Sequence, residues 1–281
     1  MTLYCIIGYE ITGRRPVVLK EGKTIFYTDE QNDEFSAAVI KPIKIDKNYR
    51  YDRTRGMSAV ARFFFYRIVA TPLAFIYCKA FLHYRCVSRK VLKPFRKKGF
   101  YLYGNHTSNY GDPLMPNLFA FPENVYFIVH PNNVSMPVLG FINRFIGAIP
   151  LPDDIDAAKN FSSFVSERID NGDIVAIYPE AHIWPYYTKI RNFSDKSFGY
   201  PARSGKPVFC FTNTYQKRFL FGKELSKPKI VTYIDGPFYP DMELTLALRK
   251  KDLRDRVFDT MCRRAENSDK EYIRYIKKGT D

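Results

Sequence analysis

The chain has 281 residues, with 44 Lys and Arg against 29 Asp and Glu, and so carries a formal net charge of +15 at neutral pH. Its 46% hydrophobic and 16% aromatic residues supply a core, which excludes a disordered chain, and the length suits one main globular unit. The five cysteines, Cys5, Cys78, Cys86, Cys210 and Cys262, form no C-x-x-C pair and no Cys/His cluster at metal-ligand spacing, which argues against a disulfide framework or a zinc site.

Residues 1–55 read as short strands, Leu3 to Tyr9, Thr24 to Tyr27 and Ala37 to Ile45, separated by Gly, Pro and acidic residues. They make a small β-rich N-terminal appendage without evident chemistry. The first ten residues have neither a basic lead-in nor a small-residue cleavage site, so a signal peptide is not expected and a cytosol-facing location is.

Residues 56–98 form a second unit, read as a membrane-association segment. The run from Phe63 to Leu82 is about as long as a membrane-spanning helix, but it contains Arg67, Pro72 and Lys79. A charge in mid-helix costs about 2.5–3.5 kcal/mol on insertion scales. An amphipathic helix, or a Pro-broken helix pair, lying in or dipping into the lipid interface is therefore expected. A basic run follows directly, with seven positive charges and no acid between Arg85 and Lys98. Such a run suits an anionic membrane surface, at about 1 kcal/mol per basic residue near the headgroups. The alternative is a buried core helix followed by a solvated basic loop. Nucleic acid is not an expected partner, because no RNP, KH or zinc-finger pattern accompanies the charge.

From 99 to 240, short apolar runs alternate with helical or polar stretches. The runs are Phe100 to Tyr103, Val125 to Val129, Ile174 to Tyr178, Val208 to Thr212 and Ile230 to Ile234. This alternation predicts an α/β core, a central and largely parallel sheet flanked by helices. Helices are expected near Met115 to Phe121, Val138 to Ile146, Ile155 to Asn171 and Leu244 to Arg264. Residues 241–281 form a C-terminal helical segment ending in a basic surface tail, Lys270 to Lys278.

The sharpest feature is the stretch from Gly99 through Asn105, His106 and Asp112 to Pro113. A short apolar strand ends at Gly104, and polar residues follow where α/β folds place their sites, beyond the carboxyl ends of the strands. A histidine there serves as a general base near neutral pH, and a nearby carboxylate fixes its tautomer. The pair suits deprotonation of a hydroxyl for attack on an acyl carbonyl; the plainer reading is a turn whose polar side chains cap the next helix. Six helical positions rotate by about 600°, so His106 and Asp112 meet only across a turn. Gly111 permits such a turn by allowing positive φ. Pro179 and Glu180 follow the strand at Ile174 and line the same sheet edge, with Glu180 open to two readings, a substrate contact or a buried carboxylate holding backbone N–H groups.

These blocks resemble the PlsC-like glycerolipid acyltransferases, the family of 1-acyl-sn-glycerol-3-phosphate acyltransferase. Gly104-Asn105-His106 through Asp112-Pro113 is similar to the family's catalytic His/Asp motif, with five intervening residues where four are usual. Met136 to Ile149 resembles the lead-in to its second motif, Tyr178-Pro179-Glu180 its Pro-Glu-Gly-Thr block, and Gly205 to Phe211 its Pro-containing strand. The resemblance covers about residues 60–240. It implies transfer of a fatty acyl group from acyl-CoA or acyl carrier protein to the hydroxyl of 1-acyl-sn-glycerol-3-phosphate, giving phosphatidic acid. His106 would be the base and Asp112 its orienting partner, with no metal or other cofactor. Oxyanion donors are expected near Asn105 or the Gly147 loop. The partners implied are a lipid membrane surface, a lysophospholipid acceptor and an acyl thioester donor, at the cytoplasmic face of the membrane as a peripheral or monotopic protein.

Two arginines of the family pattern, which it implies hold the acceptor's phosphate, are missing. Pro152 or Asp153 stands in one place and Ile183 in the other. Arg144, Lys189, Arg191 and Arg203 lie near the right blocks and are the candidate replacements, Arg suiting phosphate through its planar fork. The departures leave two alternatives: a different lyso-lipid or glycolipid acceptor, or a non-catalytic lipid-binding protein on the same fold.

Overall fold

Strand alternation sets the architecture. The structure, a computed structural model, describes residues 20–35, 41–52 and 56–279. Its main sheet is built from β2 (Arg85–Cys86), β3 (Phe100–Gly104), β4 (Val125–Val129), β5 (Ala148–Pro150), β6 (Ile174–Ile177), β7 (Val208–Leu220) and β8 (Lys223–Phe238), in the spatial order β2-β8-β7-β3-β6-β4-β5. All neighbouring pairs are parallel except the β7–β8 hairpin. Side chains of successive strand residues point to opposite faces, and the core divides accordingly. Tyr101, Tyr103, Val175 and Ile177 join one apolar cluster, while Phe100, Leu102, Ile174 and Ala176 join the other.

The first face is covered by α6 (Ile155–Asp170) and α8 (Leu246–Ala265), through Phe161, Val165, Leu253 and Val257. Asp154 starts α6 by accepting the Ala157 N–H at 2.8 Å, and Thr245 starts α8 on the Leu248 N–H, each satisfying an orphan donor of the first turn. The second face carries α3 (Met115–Phe119) and a long helix, Gly56–Ala80, formed by α1 (Gly56–Phe63), a π-helical turn (Phe64–Ala70) and α2 (Thr71–Ala80). The connection from β4 to β5 runs through α4 (Asn132–Ser135) and α5 (Leu139–Phe145), and α7 (Gly199–Ser204) precedes β7.

Of the two forms expected for residues 63–82, the continuous helix is the one that forms. Pro72 lies at its second segment's first turn, and the wider π turn before it absorbs the missing N–H, with the Thr71 hydroxyl donating to the Tyr66 carbonyl at 2.7 Å. Arg62, Tyr66, Ala74 and Cys78 make its buried face, whereas Val60, Phe63, Ile68, Leu73, Ile76 and Phe81 are exposed. Both of its expected charges are bonded to carbonyls. Arg67 reaches the Pro122 carbonyl and Asn124 Oδ1, and Lys79 Nζ donates to the Tyr84 carbonyl at 3.2 Å. The outward face is consequently almost purely apolar.

Strand β1 (Lys23–Tyr27) pairs in parallel with β9 (Ile273–Lys277) in a separate two-stranded sheet. The C-terminal stretch expected as a basic surface tail is thus a strand, with Tyr272 and Ile273 buried. Expected strand Leu3 to Tyr9 lies outside the described residues, as does part of Ala37 to Ile45. Residues 41–45 of the latter are not a strand: the Ile45 side chain is fully buried in the main core and its N–H donates to Asp153 at 2.6 Å.

Candidate active site

Strand β3 ends at Gly104, against the face of the Phe211 ring. A Cβ there would stand 2.0 Å from that ring, so only glycine lets the chain leave the sheet this close to its neighbour. The next residues, 105–108, have no regular secondary structure and are gripped from both sides. The Asn105 side chain is a double clamp on β7, donating to the Asn213 carbonyl at 3.0 Å and accepting the Asn213 N–H at 2.8 Å. The carbonyls of His106 and Thr107 accept the N–H groups of Trp184 and Tyr186 at 3.0 and 2.9 Å. Tyr215 donates its hydroxyl to the Thr107 carbonyl at 2.8 Å.

Within this loop His106 Nδ1 lies 2.7 Å from Asp112 Oδ2. The expected turn joins them: the Asp112 N–H donates to the Ser108 carbonyl, and the Ser108 N–H returns to the Asp112 carboxylate, both at 3.0 Å. Gly111 serves this turn differently from expectation. It is not among the glycines with positive φ. Crowding demands it instead, since a Cβ would meet Ser108 Oγ at 2.5 Å and Leu82 Cδ1 and Met115 Cε at 3.0 Å.

Asp112 is fully buried and gathers donors from the His106 ring, the Ser108 N–H and, at 3.4 Å, the Asn213 side-chain amide. Burial pushes its pKa up, opposed by the hydrogen bond and charge of His106 and by the Ser108 and Thr107 N–H groups. The His106 ring is stacked on Tyr178, with centroids 4.6 Å apart and planes 22° apart. Tyr178 in turn donates its hydroxyl to the Asp112 carbonyl. The imidazole is therefore fixed by Asp112 at one nitrogen and by Tyr178 across its face. Its Nε2 has no hydrogen bond among the described residues, and the side chain is 25% exposed.

Glu180 is the buried carboxylate of its two readings rather than a substrate contact. Its oxygens accept the His106 N–H at 3.1 Å, the Arg191 N–H at 3.0 Å and the Arg191 guanidinium at 3.2 Å. Burial raises its pKa, against the pull of the Arg191 charge. Arg191 is turned inward with it: 1% exposed, donating also to the His182 carbonyl and lying 4.8 Å from the Trp184 ring centroid. Arg144, on α5, donates to the Val134 carbonyl at 2.9 Å, and among the described residues it has no hydrogen bond or ion pair with the His106 cluster. Neither arginine offers a free guanidinium to a phosphate beside His106. Pro179 is half-buried directly after Tyr178.

The structure separates Gly147 from the rest. It precedes β5 and its carbonyl accepts the Phe127 N–H, which sets it near the amino end of the sheet, about 20 Å from the His106 loop by strand rise and spacing. The backbone donors expected beside Asn105 are also engaged: the His106 N–H on Glu180, and the N–H groups of Thr107 and Ser108 on Asp112.

Two groups here escape sequence reasoning, Tyr178 beneath the imidazole and Asn213 behind Asp112, while Arg191, expected to hold a phosphate, stands instead behind Glu180. Asn213 left one signal, since Thr212-Asn213-Thr214 is a polar run directly after the apolar Val208–Phe211 and all three are buried. Buried polar side chains need partners, and Asn213 has them in Asn105, Asp112 and Thr232. Trp184, close to Glu180 in sequence, is core: it is fully buried and stacked on Tyr275 of β9.

A paired imidazole and carboxylate on the carboxyl edge of an α/β sheet, with the outer ring nitrogen open, is the arrangement that general-base chemistry requires. Residues 87–209, the segment that holds His106, Asp112, Glu180 and Arg191, match the family model described as Acyltransferase. Among solved structures, the crystal structure of the 1-acyl-sn-glycerophosphate (LPA) acyltransferase PlsC from Thermotoga maritima is similar in fold. Its TM-score is 0.50 at 18% identity, over 75% of this chain and 84% of that one. No curated protein matches the chain.

Proposed function

We propose that the chain transfers a fatty acyl group from an acyl thioester, acyl-CoA or acyl carrier protein, to the free hydroxyl of 1-acyl-sn-glycerol-3-phosphate, giving phosphatidic acid. The observation that carries this reading is the His106–Asp112 pair at 2.7 Å with Nε2 open. Nε2 takes the acceptor's hydroxyl proton as that oxygen attacks the thioester carbonyl. The tetrahedral intermediate then collapses, the C–S bond breaks, and the departing thiolate receives the proton from the imidazolium. Asp112 holds the proton on Nδ1 throughout and stabilises the positive ring. Asn105, Glu180 and Arg191 act as positioning residues, fixing the loop from which His106 projects.

The exposed apolar face of Gly56–Ala80 supports a monotopic seat on the cytoplasmic face of a membrane, where a lysophospholipid acceptor and its product reside. The 3₁₀ segment Arg89–Phe95 supports it too. At three residues per turn, Lys90, Lys93 and Arg96 fall on one side, and among the described residues no carboxylate pairs with them.

A second acceptor reading has its own observation: Arg191 is buried and Arg144 is bonded to a carbonyl. A lyso-lipid or glycolipid without a terminal phosphate fits that arrangement. The distinguishing experiment gives purified protein oleoyl-CoA with lysophosphatidic acid, lysophosphatidylglycerol or a monoglycosyl lipid, and identifies products by mass spectrometry. Phosphatidic acid as the main product is expected; acylation of only the other acceptors would overturn this acceptor assignment.

A further inference from the structure

The hairpin of β7 and β8 outgrows its sheet. Gly104, the last residue of β3, lies opposite Phe211, yet β7 runs on to Leu220. From the fully buried Tyr215 to Leu220 the ribbon extends about 17 Å. It points past the carboxyl end of β3, the end from which His106 projects, and lies beyond the family segment, which stops at residue 209.

At its tip stand Phe219, Leu220 and Phe221, exposed by 60%, 54% and 98%. Leu220 and Lys223 close a two-residue turn in which Phe221 and Gly222 both have positive φ, +47° and +79°. Asn or Asp followed by Gly is the usual choice for such a turn, so folding does not explain an aromatic there. Behind the tip the ribbon carries Lys217, Arg218, Lys223, Lys227 and Lys229. Its one acid between residues 216 and 229, Glu224, is paired with Lys217 and Lys270. The ribbon's base is joined to the apolar helix, since the Ile230 N–H donates to the Leu82 carbonyl at 3.2 Å, just past the exposed Phe81.

We propose that this tip is a second membrane-binding element, in which Phe219, Leu220 and Phe221 enter the acyl region of an anionic leaflet while the cationic collar meets headgroup phosphates. Charge complementarity commits it to a bilayer, three exposed apolar side chains at the tip followed by cations on both strands of the ribbon. The inference rests on the membrane-surface reading above and adds a second point of attachment, with the mouth of the His106 site on the same end of the sheet.

The test uses the full chain with Phe221→Trp and phosphatidylcholine–phosphatidylglycerol vesicles with or without brominated acyl chains. Trp184, the chain's one tryptophan, is fully buried and gives a constant background. The expected result is blue-shifted emission from the added indole and loss of most of it in brominated vesicles. With Phe219→Ser and Phe221→Ser together, vesicle partitioning should weaken about tenfold or more. Protein that sediments with vesicles while the added indole stays unshifted and unquenched would overturn the hairpin proposal and leave the helix as the anchor. Protein that fails to sediment at all would overturn both.

Discussion

Around His106, side chains far apart in sequence do the positioning. The pairing of His106 with Asp112 was legible through the motif they resemble, although a separation of six positions demanded a turn between them. What lies behind it was not, because Asn213, Tyr178 and Arg191 reach the loop through tertiary packing that local spacing does not encode. The Glu180–Arg191 pair shows the consequence for stability. Both are buried, and removing one partner of such a pair leaves an uncompensated charge at a cost of about 3–5 kcal/mol. Arg191→Met should lower the unfolding free energy measured in urea by an amount of that order, and adding Glu180→Gln should restore much of it. A single variant as stable as the wild type would contradict this role.

Among the elements, the α/β alternation was readable because each core strand is a short apolar run between polar stretches. Two features were hidden. The hairpin outruns its apolar run, since β7 continues through Gln216, Lys217 and Arg218, held by pairing with β8 rather than by burial. Strand β9 reads as a basic tail because its outward residues are charged and only Ile273 of the strand is buried. Its approach is fixed by Lys270, which donates to Glu21 beside β1 and, at 2.7 Å, to Glu224 on the hairpin. The Lys270 hydrogen bond holds the Glu21 carboxyl below the usual range, and hydrogen bonds to Glu21 and then Glu224 raise the Lys270 ammonium. A carboxyl depressed in the fold stabilises above its unfolded pKa, and that stabilisation disappears as pH falls through the folded value. Lys270→Met should therefore lower the thermal midpoint at pH 7, with the difference from wild type shrinking as pH falls through the folded carboxyl's titration. A difference that persists at the acid end would contradict this origin.

For the whole molecule, charge and apolar surface are segregated. Residues 1–100 hold 20 Lys and Arg against 8 Asp and Glu, whereas residues 101–281 hold 24 against 21. The apolar helix was legible as a segment, but the harmlessness of its charges was not, because only the fold shows Arg67 and Lys79 turned onto carbonyls. Attachment through an apolar face beside a basic run has a defined salt response: cations near headgroups lose their attraction as the Debye length shortens, whereas apolar burial does not. Vesicle binding should weaken from 0.05 to about 0.5 M NaCl with phosphatidylglycerol present and change little with phosphatidylcholine alone. Equal salt dependence on both surfaces would contradict the role of the basic run.

The central claim is that His106 takes the acceptor's proton. Its most direct test is acceptor-dependent thiol release from oleoyl-CoA by the wild type and by His106→Ala, with vesicle binding measured on both proteins. A loss of about 10²–10⁴-fold in release is expected, the range for removing a positioned general base, with lipid binding unchanged. Turnover undiminished by His106→Ala would contradict it.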